Sequence, residues 1–277
     1  KGSHIVVPRL NKDQEAYILQ NEDERIVFVI PYEDEFSLVG TTDVEYEGDP
    51  NKARISNEEI EYLLAIVNDH FKRQLKPEEV IWSYSGVRPL MDDEGGDAKS
   101  ASRDYSFEVS QEEGLAPLIS VFGGKLTTYR KLAEAATNKL CEFFPHAGTA
   151  WTKIASLPGG EFSGHEALER ELKADFPWLD EGLVRRFVRT YGTLSYSILK
   201  GCEQMGDLGR CFGGNLYAAE VDYLVEHEWA MTPEDILWRR TKQGLFASEQ
   251  DVVGLEWYLS DRQNGAMKGV AAPHRSA

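Results

Sequence analysis

Pro117-Leu118-Ile119-Ser120-Val121-Phe122-Gly123-Gly124-Lys125-Leu126-Thr127-Thr128 reads as a short buried strand that passes through a glycine turn into a helix. The helix carries Tyr129, Leu132, Ala136, Leu140 and Phe143 on one face and ends before Pro145-His146-Ala147-Gly148. The sequence differs in kind on the two sides of this unit. Before it, β-branched and aromatic runs dominate; after it, helical periodicity takes over. The expected fold class is therefore α+β: a sheet-rich region with the strand-turn-helix over residues 1–148, then an all-helical domain over 149–277.

Upstream, the strands are Ile5-Val6-Val7, Ala16-Tyr17-Ile18-Leu19, Arg25-Ile26-Val27-Phe28-Val29-Ile30 and Phe36-Ser37-Leu38-Val39. The polar connection Pro31 to Glu35 makes the last two an antiparallel hairpin. One helix interrupts the sheet: Ser56 and Glu59 form a capping box ahead of the stripe Ile60, Leu63, Leu64, Val67 and Phe71. Strand signals resume at Val80-Ile81-Trp82-Ser83-Tyr84 and, after the acidic loop Asp92 to Asp97, at Tyr105 to Val109.

Downstream, Leu168, Leu172 and Phe176 form one helical stripe, and Leu183, Val184, Phe187, Val188 and Tyr191 another. Thr232-Pro233-Glu234-Asp235 marks a helix start, and Ser248 with Asp251 makes a second capping box.

Composition narrows the function. The chain has 277 residues, 42% hydrophobic and 28% charged, which is ordinary for a globular protein. A net charge of −17 repels phosphate backbones and argues against a nucleic-acid partner. An anionic small substrate would need a local Arg or Lys cluster. No apolar run approaches the roughly 20 residues of a membrane span, and no leader pattern is visible. Cys141, Cys202 and Cys211 form no CxxC pair and read as reduced thiols of a cytoplasmic protein. No metal is expected: there is no HExxH, and the calcium-like run from Asp43 has Arg54 where the bidentate acid belongs.

Few residues carry chemistry by pattern alone. The glycine turn before Lys125 allows close approach to backbone and opens a helix N-terminus to an anion, although such turns more often serve packing. Arg88, held extended by Pro89, has the planar fork that clamps a phosphate; by residue type a surface ion pair is the commoner fate. Arg103, beside Asp104, invites the same two readings. His4, in Lys1-Gly2-Ser3-His4, carries no weight taken alone, since Gly-Ser-His is also a common expression-tag remnant. The basic cluster Trp238-Arg239-Arg240-Thr241-Lys242 is read as an exposed helix face or internal ion pairs.

Four ordered motifs change that weighting. Lys1-Gly2-Ser3-His4-Ile5-Val6-Val7-Pro8-Arg9, Val39-Gly40-Thr41-Thr42-Asp43, Ser85-Gly86-Val87-Arg88-Pro89-Leu90 and Gly123-Gly124-Lys125-Leu126-Thr127-Thr128-Tyr129-Arg130 resemble the bacterial aerobic FAD-dependent glycerol-3-phosphate dehydrogenase family. Leu157-Pro158-Gly159-Gly160 and Trp238 to Gly244 extend the resemblance into the helical region. The family begins with a Rossmann-type dinucleotide fold, and this chain is expected to start after it.

The resemblance implies that His4, Arg88 and Lys125 face the substrate, with Arg88 on its phosphate; His4 is the candidate catalytic base. It implies that Arg103, Gly124, Lys125, Leu126 and Thr127 lie beside the FAD. The implied reaction oxidises glycerol 3-phosphate to dihydroxyacetone phosphate, with electrons passing to FAD and then to a quinone acceptor. Peripheral attachment to the inner membrane follows from the same resemblance, and oligomeric state stays open. This part alone is expected to lack tight FAD and turnover. Two other readings stand beside it: a glycerol-3-phosphate oxidase using oxygen, and a noncatalytic interaction module built on this family.

Overall fold

The structure, a computed structural model, describes residues 1–88 and 104–269. The chain forms two compact units, Lys1–Lys153 and Ile154–Ala277. It is mixed α+β, with sheets in the first unit and helices filling the second.

The first unit opens with β1 (Gly2–Pro8), β2 (Tyr17–Gln20), β3 (Ile26–Tyr32) and β4 (Phe36–Gly40), followed by α1 (Asn57–His70) and β5 (Trp82–Gly86). These strands pair antiparallel in the order β2-β3-β4-β1-β5. The hairpin expected between β3 and β4 is present, but its turn is shorter than the sequence suggested. Pro31 and Tyr32 still pair with Ser37 and Phe36, leaving only Glu33, Asp34 and Glu35 in the turn. Pro31 is tolerated within β3 because β2 pairs only as far as Val29, so no ladder bond is lost on that side.

Strand alternation divides the sheet into two faces. Ile5, Val7, Leu19, Val27, Val29 and Val39 point to one side and pack with Leu63, Leu64, Ile66 and Val67 of α1 in a buried core. The Ser56–Glu59 capping box foreseen for α1 is formed in both directions. On the other face a single row crosses all five strands: Ile18, Phe28, Gly40, His4 and Tyr84 stand directly opposite one another. Ile18, Phe28 and Tyr84 of this row are exposed.

The first unit continues with β6 (Ser106–Ser110), β7 (Leu118–Phe122) and α2 (Tyr129–Cys141). The strand-turn-helix is as expected, but the burial is not. Leu118 and Phe122 of β7 are 63% and 39% exposed, and no residue of α2 is buried. The physical reason is that, among the described residues, β6 and β7 pair only with each other, and a two-stranded sheet is too small to enclose either element.

The second unit comprises α3 (His165–Asp175), α4 (Glu181–Tyr191), the short α5 (Ser195–Ile198), α6 (Ala218–His227) and α7 (Glu249–Gly269). Leu168 and Leu172 of α3 pack with Leu183, Val184, Phe187, Val188 and Tyr191 of α4 in one core. Phe176 is only half-buried against it, since α3 has already ended there. The start foreseen at Thr232 leads into a π-helical turn, Asp235–Arg240, rather than an α-helix. Asp235 accepts from the backbone N–H groups of Met231 and Thr232 and holds that turn. The basic cluster there pairs internally, with Arg239 2.8 Å from Asp235 and Arg240 donating to the Glu228 carbonyl. No helix among the described residues is long and apolar enough to cross a membrane.

Candidate functional site

His4 lies inside β1, paired with Gly40 on one side and Tyr84 on the other. Its imidazole stacks on the Tyr84 ring with centroids 4.9 Å apart and planes 6° from parallel. On the opposite flank the ring lies over Gly40, where an added Cβ would come within 2.4 Å of His4 Cδ2. The glycine of Val39-Gly40-Thr41 thus has a steric cause: any side chain there would displace the imidazole. Nδ1 of His4 is buried and without a hydrogen-bond partner among the described residues. Burial lowers the imidazole pKa, so the ring is neutral near pH 7 and able to take a proton. Tyr84, exposed along one edge and covered along the other, is shifted the opposite way by that partial burial, which raises its phenol and keeps it protonated.

Arg88 follows β5 by two residues and is exposed. Since Gly2 pairs with Gly86, Arg88 leaves the sheet at the end where β1 begins. His4 and Arg88 therefore belong to the same sheet end. Glu59 supports this end from the face covered by α1, a role sequence reading did not find. Its carboxylate, on a side chain only 6% exposed, accepts from Lys1 Nζ at 2.7 Å, Ser3 Oγ at 3.0 Å, Thr42 Oγ1 at 2.6 Å and the Ser56 N–H at 2.8 Å. Burial alone would raise its pKa, but those four donors outweigh it and hold the group at about 2.

Lys125, Leu126 and Thr127 lie elsewhere, at the start of α2. Gly123 and Gly124 have φ of 71° and 104°, conformations that favour glycine, and a Cβ on Gly123 would strike the Asp104 carbonyl at 2.7 Å. Leu126–Thr128 form a single 3₁₀ turn whose N-terminus has no side-chain cap. Leu126 is 89% exposed, and Lys125 reaches Asp104 at 3.8 Å. Among the described residues no hydrogen bond or ion pair links Lys125 to His4. Arg103 lies outside the described residues, so its expected place beside a cofactor is not seen.

A family profile described as FAD dependent oxidoreductase matches residues 1–130, and one described as the C-terminal domain of alpha-glycerophosphate oxidase matches residues 150–255. The chain is 55% identical over 260 residues to a glycerol-3-phosphate dehydrogenase of Pseudomonas aeruginosa, covering 94% of this chain and 51% of that protein. It is 52% identical to the aerobic glycerol-3-phosphate dehydrogenase of Escherichia coli K12, covering 95% and 53%. The chain belongs to the aerobic FAD-dependent glycerol-3-phosphate dehydrogenase family. A D-erythritol 1-phosphate dehydrogenase of Brucella abortus is also similar, 44% identical over 93% of this chain and 52% of its own length. Among solved structures, the glycerol-3-phosphate dehydrogenase of Bacillus halodurans complexed with FAD superposes with a TM-score of 0.71 at 27% identity. That match covers 96% of this chain and 52% of the other. The chain therefore spans about half the length of the relatives it matches.

Proposed function

We propose that this chain supplies the substrate-facing sheet and a flavin-contacting turn of a longer flavoenzyme that oxidises glycerol 3-phosphate to dihydroxyacetone phosphate. The observation that carries the reading is the sheet register. It sets a neutral histidine on an open face, stacked on Tyr84 and backed by a bare glycine, at the end from which Arg88 emerges.

His4 would accept the hydroxyl proton at Nε2, because Nδ1 is shut into the sheet. Arg88, exposed and carrying a planar fork, would hold the phosphate through two parallel hydrogen bonds. Residues Gly124 to Thr127 fit a contact with the flavin. The glycines let a ring approach backbone, the helix start offers uncapped N–H groups, and Lys125 is only half shielded. FAD, when bound, supplies the hydride acceptor. Lys125 would stabilise negative charge developing on the substrate oxygen and the ring. The sequence contains no GxGxxG for the pyrophosphate, so this chain by itself is proposed to bind FAD weakly and to be inactive.

Electrons would pass on to quinone at the membrane surface. Oxygen is the second acceptor to consider, since the helical unit matches a profile named for alpha-glycerophosphate oxidase. Hydrogen peroxide formed in step with substrate oxidation would establish the oxidase reading; acceptor-dependent turnover without peroxide would establish the dehydrogenase.

The substrate reading is tested with Arg88→Lys in the full-length enzyme. A point charge loses the fork, and kcat/KM for glycerol 3-phosphate should fall on the order of 10- to 100-fold, the worth of a charge-assisted hydrogen bond. Activity on glycerol should be unaffected by the change. Equal proportional losses on both substrates would remove Arg88 from the phosphate.

A further inference from the structure

The Glu59 carboxylate orders the protons around it. Because an ionised carboxylate only accepts, the single hydroxyl proton of Ser3 goes to Glu59 Oε1. Ser85 Oγ, 2.9 Å from Ser3 Oγ, must then be the donor in that contact. Thr42 likewise gives its proton to Glu59, and its oxygen accepts the Ser3 N–H at 2.9 Å. One buried acceptor therefore ties together β1 through Ser3, the segment after β4 through Thr42, β5 through Ser85, and α1. Three of the four sequence motifs converge on it, yet Glu59 belongs to none of them.

We infer that Glu59 is a positioning residue that fixes His4, and the strand end leading to Arg88, for substrate. It works from the opposite face of the sheet. Ser3 precedes His4, Thr42 lies two residues after Gly40, and Ser85 follows Tyr84, so each anchor adjoins one wall of the imidazole's seat. A helix cap needs only the bond to the Ser56 N–H. The other three donors come from the sheet end and from Lys1, and they have no part in starting α1. The inference rests on the role proposed above for His4 and Arg88.

The test compares Glu59→Gln, which keeps size but removes the charge, with Ser3→Ala, which cuts the tie to β1 and leaves the helix cap intact. In the 277-residue chain, His4 ring proton resonances, assigned with His4→Asn, should move in both variants. The Ser3 and Thr42 amides should exchange with solvent about tenfold faster or more, while amides of the β2–β3 pair keep their protection. In the full-length flavoenzyme both variants should retain flavin and lose on the order of 10- to 100-fold in kcat/KM, mostly in kcat. Glu59→Asp should recover part of the loss. Unchanged His4 resonances and unchanged Ser3 and Thr42 exchange in a folded Glu59→Gln protein would overturn the inference, as would unaltered kcat. If the unmodified enzyme does not turn over glycerol 3-phosphate, the functional reading fails, and the resonances and exchange rates still decide whether Glu59 fixes His4.

Discussion

Two regions of the first unit carry candidate site residues, and they are built in opposite ways. The sheet end with His4 is held by its own packing: the imidazole is wedged between Tyr84 and Gly40, and the carboxylate behind it has four donors. The turn with Lys125, Leu126 and Thr127 is open, lying on a two-stranded sheet and on a helix with no buried residue. A site whose geometry is fixed by its own packing is preorganised before any ligand arrives. A site of exposed residues on a small element takes its definition from whatever binds there. Substitutions at the first should therefore cost stability of the chain itself, and substitutions at the second should cost almost none.

The largest contrast should come from acid. The folded pKa of Glu59, about 2, lies below its usual 4.5, so its contribution is complete above about pH 4.5 and disappears as pH falls towards 2. The shift corresponds to about 3 kcal/mol. The stability difference between the unmodified chain and Glu59→Gln, from urea unfolding followed by sheet-end amides, should shrink by about that amount between pH 6 and pH 2. A difference independent of pH would mean the carboxylate is not held as described.

Gly40→Ala should cost about 1–3 kcal/mol, the usual price of overpacking, because the new methyl occupies the imidazole's place. Chemical denaturation measures it, and pairing with His4→Ala should relieve most of it; a double variant no more stable than Gly40→Ala would break the proposed cause. Leu126→Ala, at a side chain 89% exposed, should change stability by less than about 0.5 kcal/mol. A larger loss would show that the turn is packed against its own chain, and the contrast between the regions would fail.

Much of this architecture was legible in the sequence where one local period ruled. The strands of the first sheet, the Ser56–Glu59 capping box and the α3 and α4 stripes all lie in short windows that hold their own signal. The burial of β7 was not legible. Leu118 to Phe122 is as apolar as a core strand, and nothing within it says that, among the described residues, β6 alone would pair with it. The role of Glu59 was hidden for a different reason. Its partners Lys1, Ser3 and Thr42 stand 58, 56 and 17 residues away, and sequence spacing reveals only the fourth, Ser56. Likewise His4 gained its setting from the resemblance of its motif, while the cause of Gly40 required the register that lays the imidazole over it.

The most direct test of the whole account is stopped-flow flavin reduction by glycerol 3-phosphate in the full-length enzyme carrying His4→Asn. Flavin and substrate affinity should be retained while reduction slows by roughly 10²–10⁴-fold, as expected for loss of a general base. A normal reduction rate with an unchanged pH profile would contradict it, leaving His4 a wedge between Tyr84 and Gly40 and nothing more.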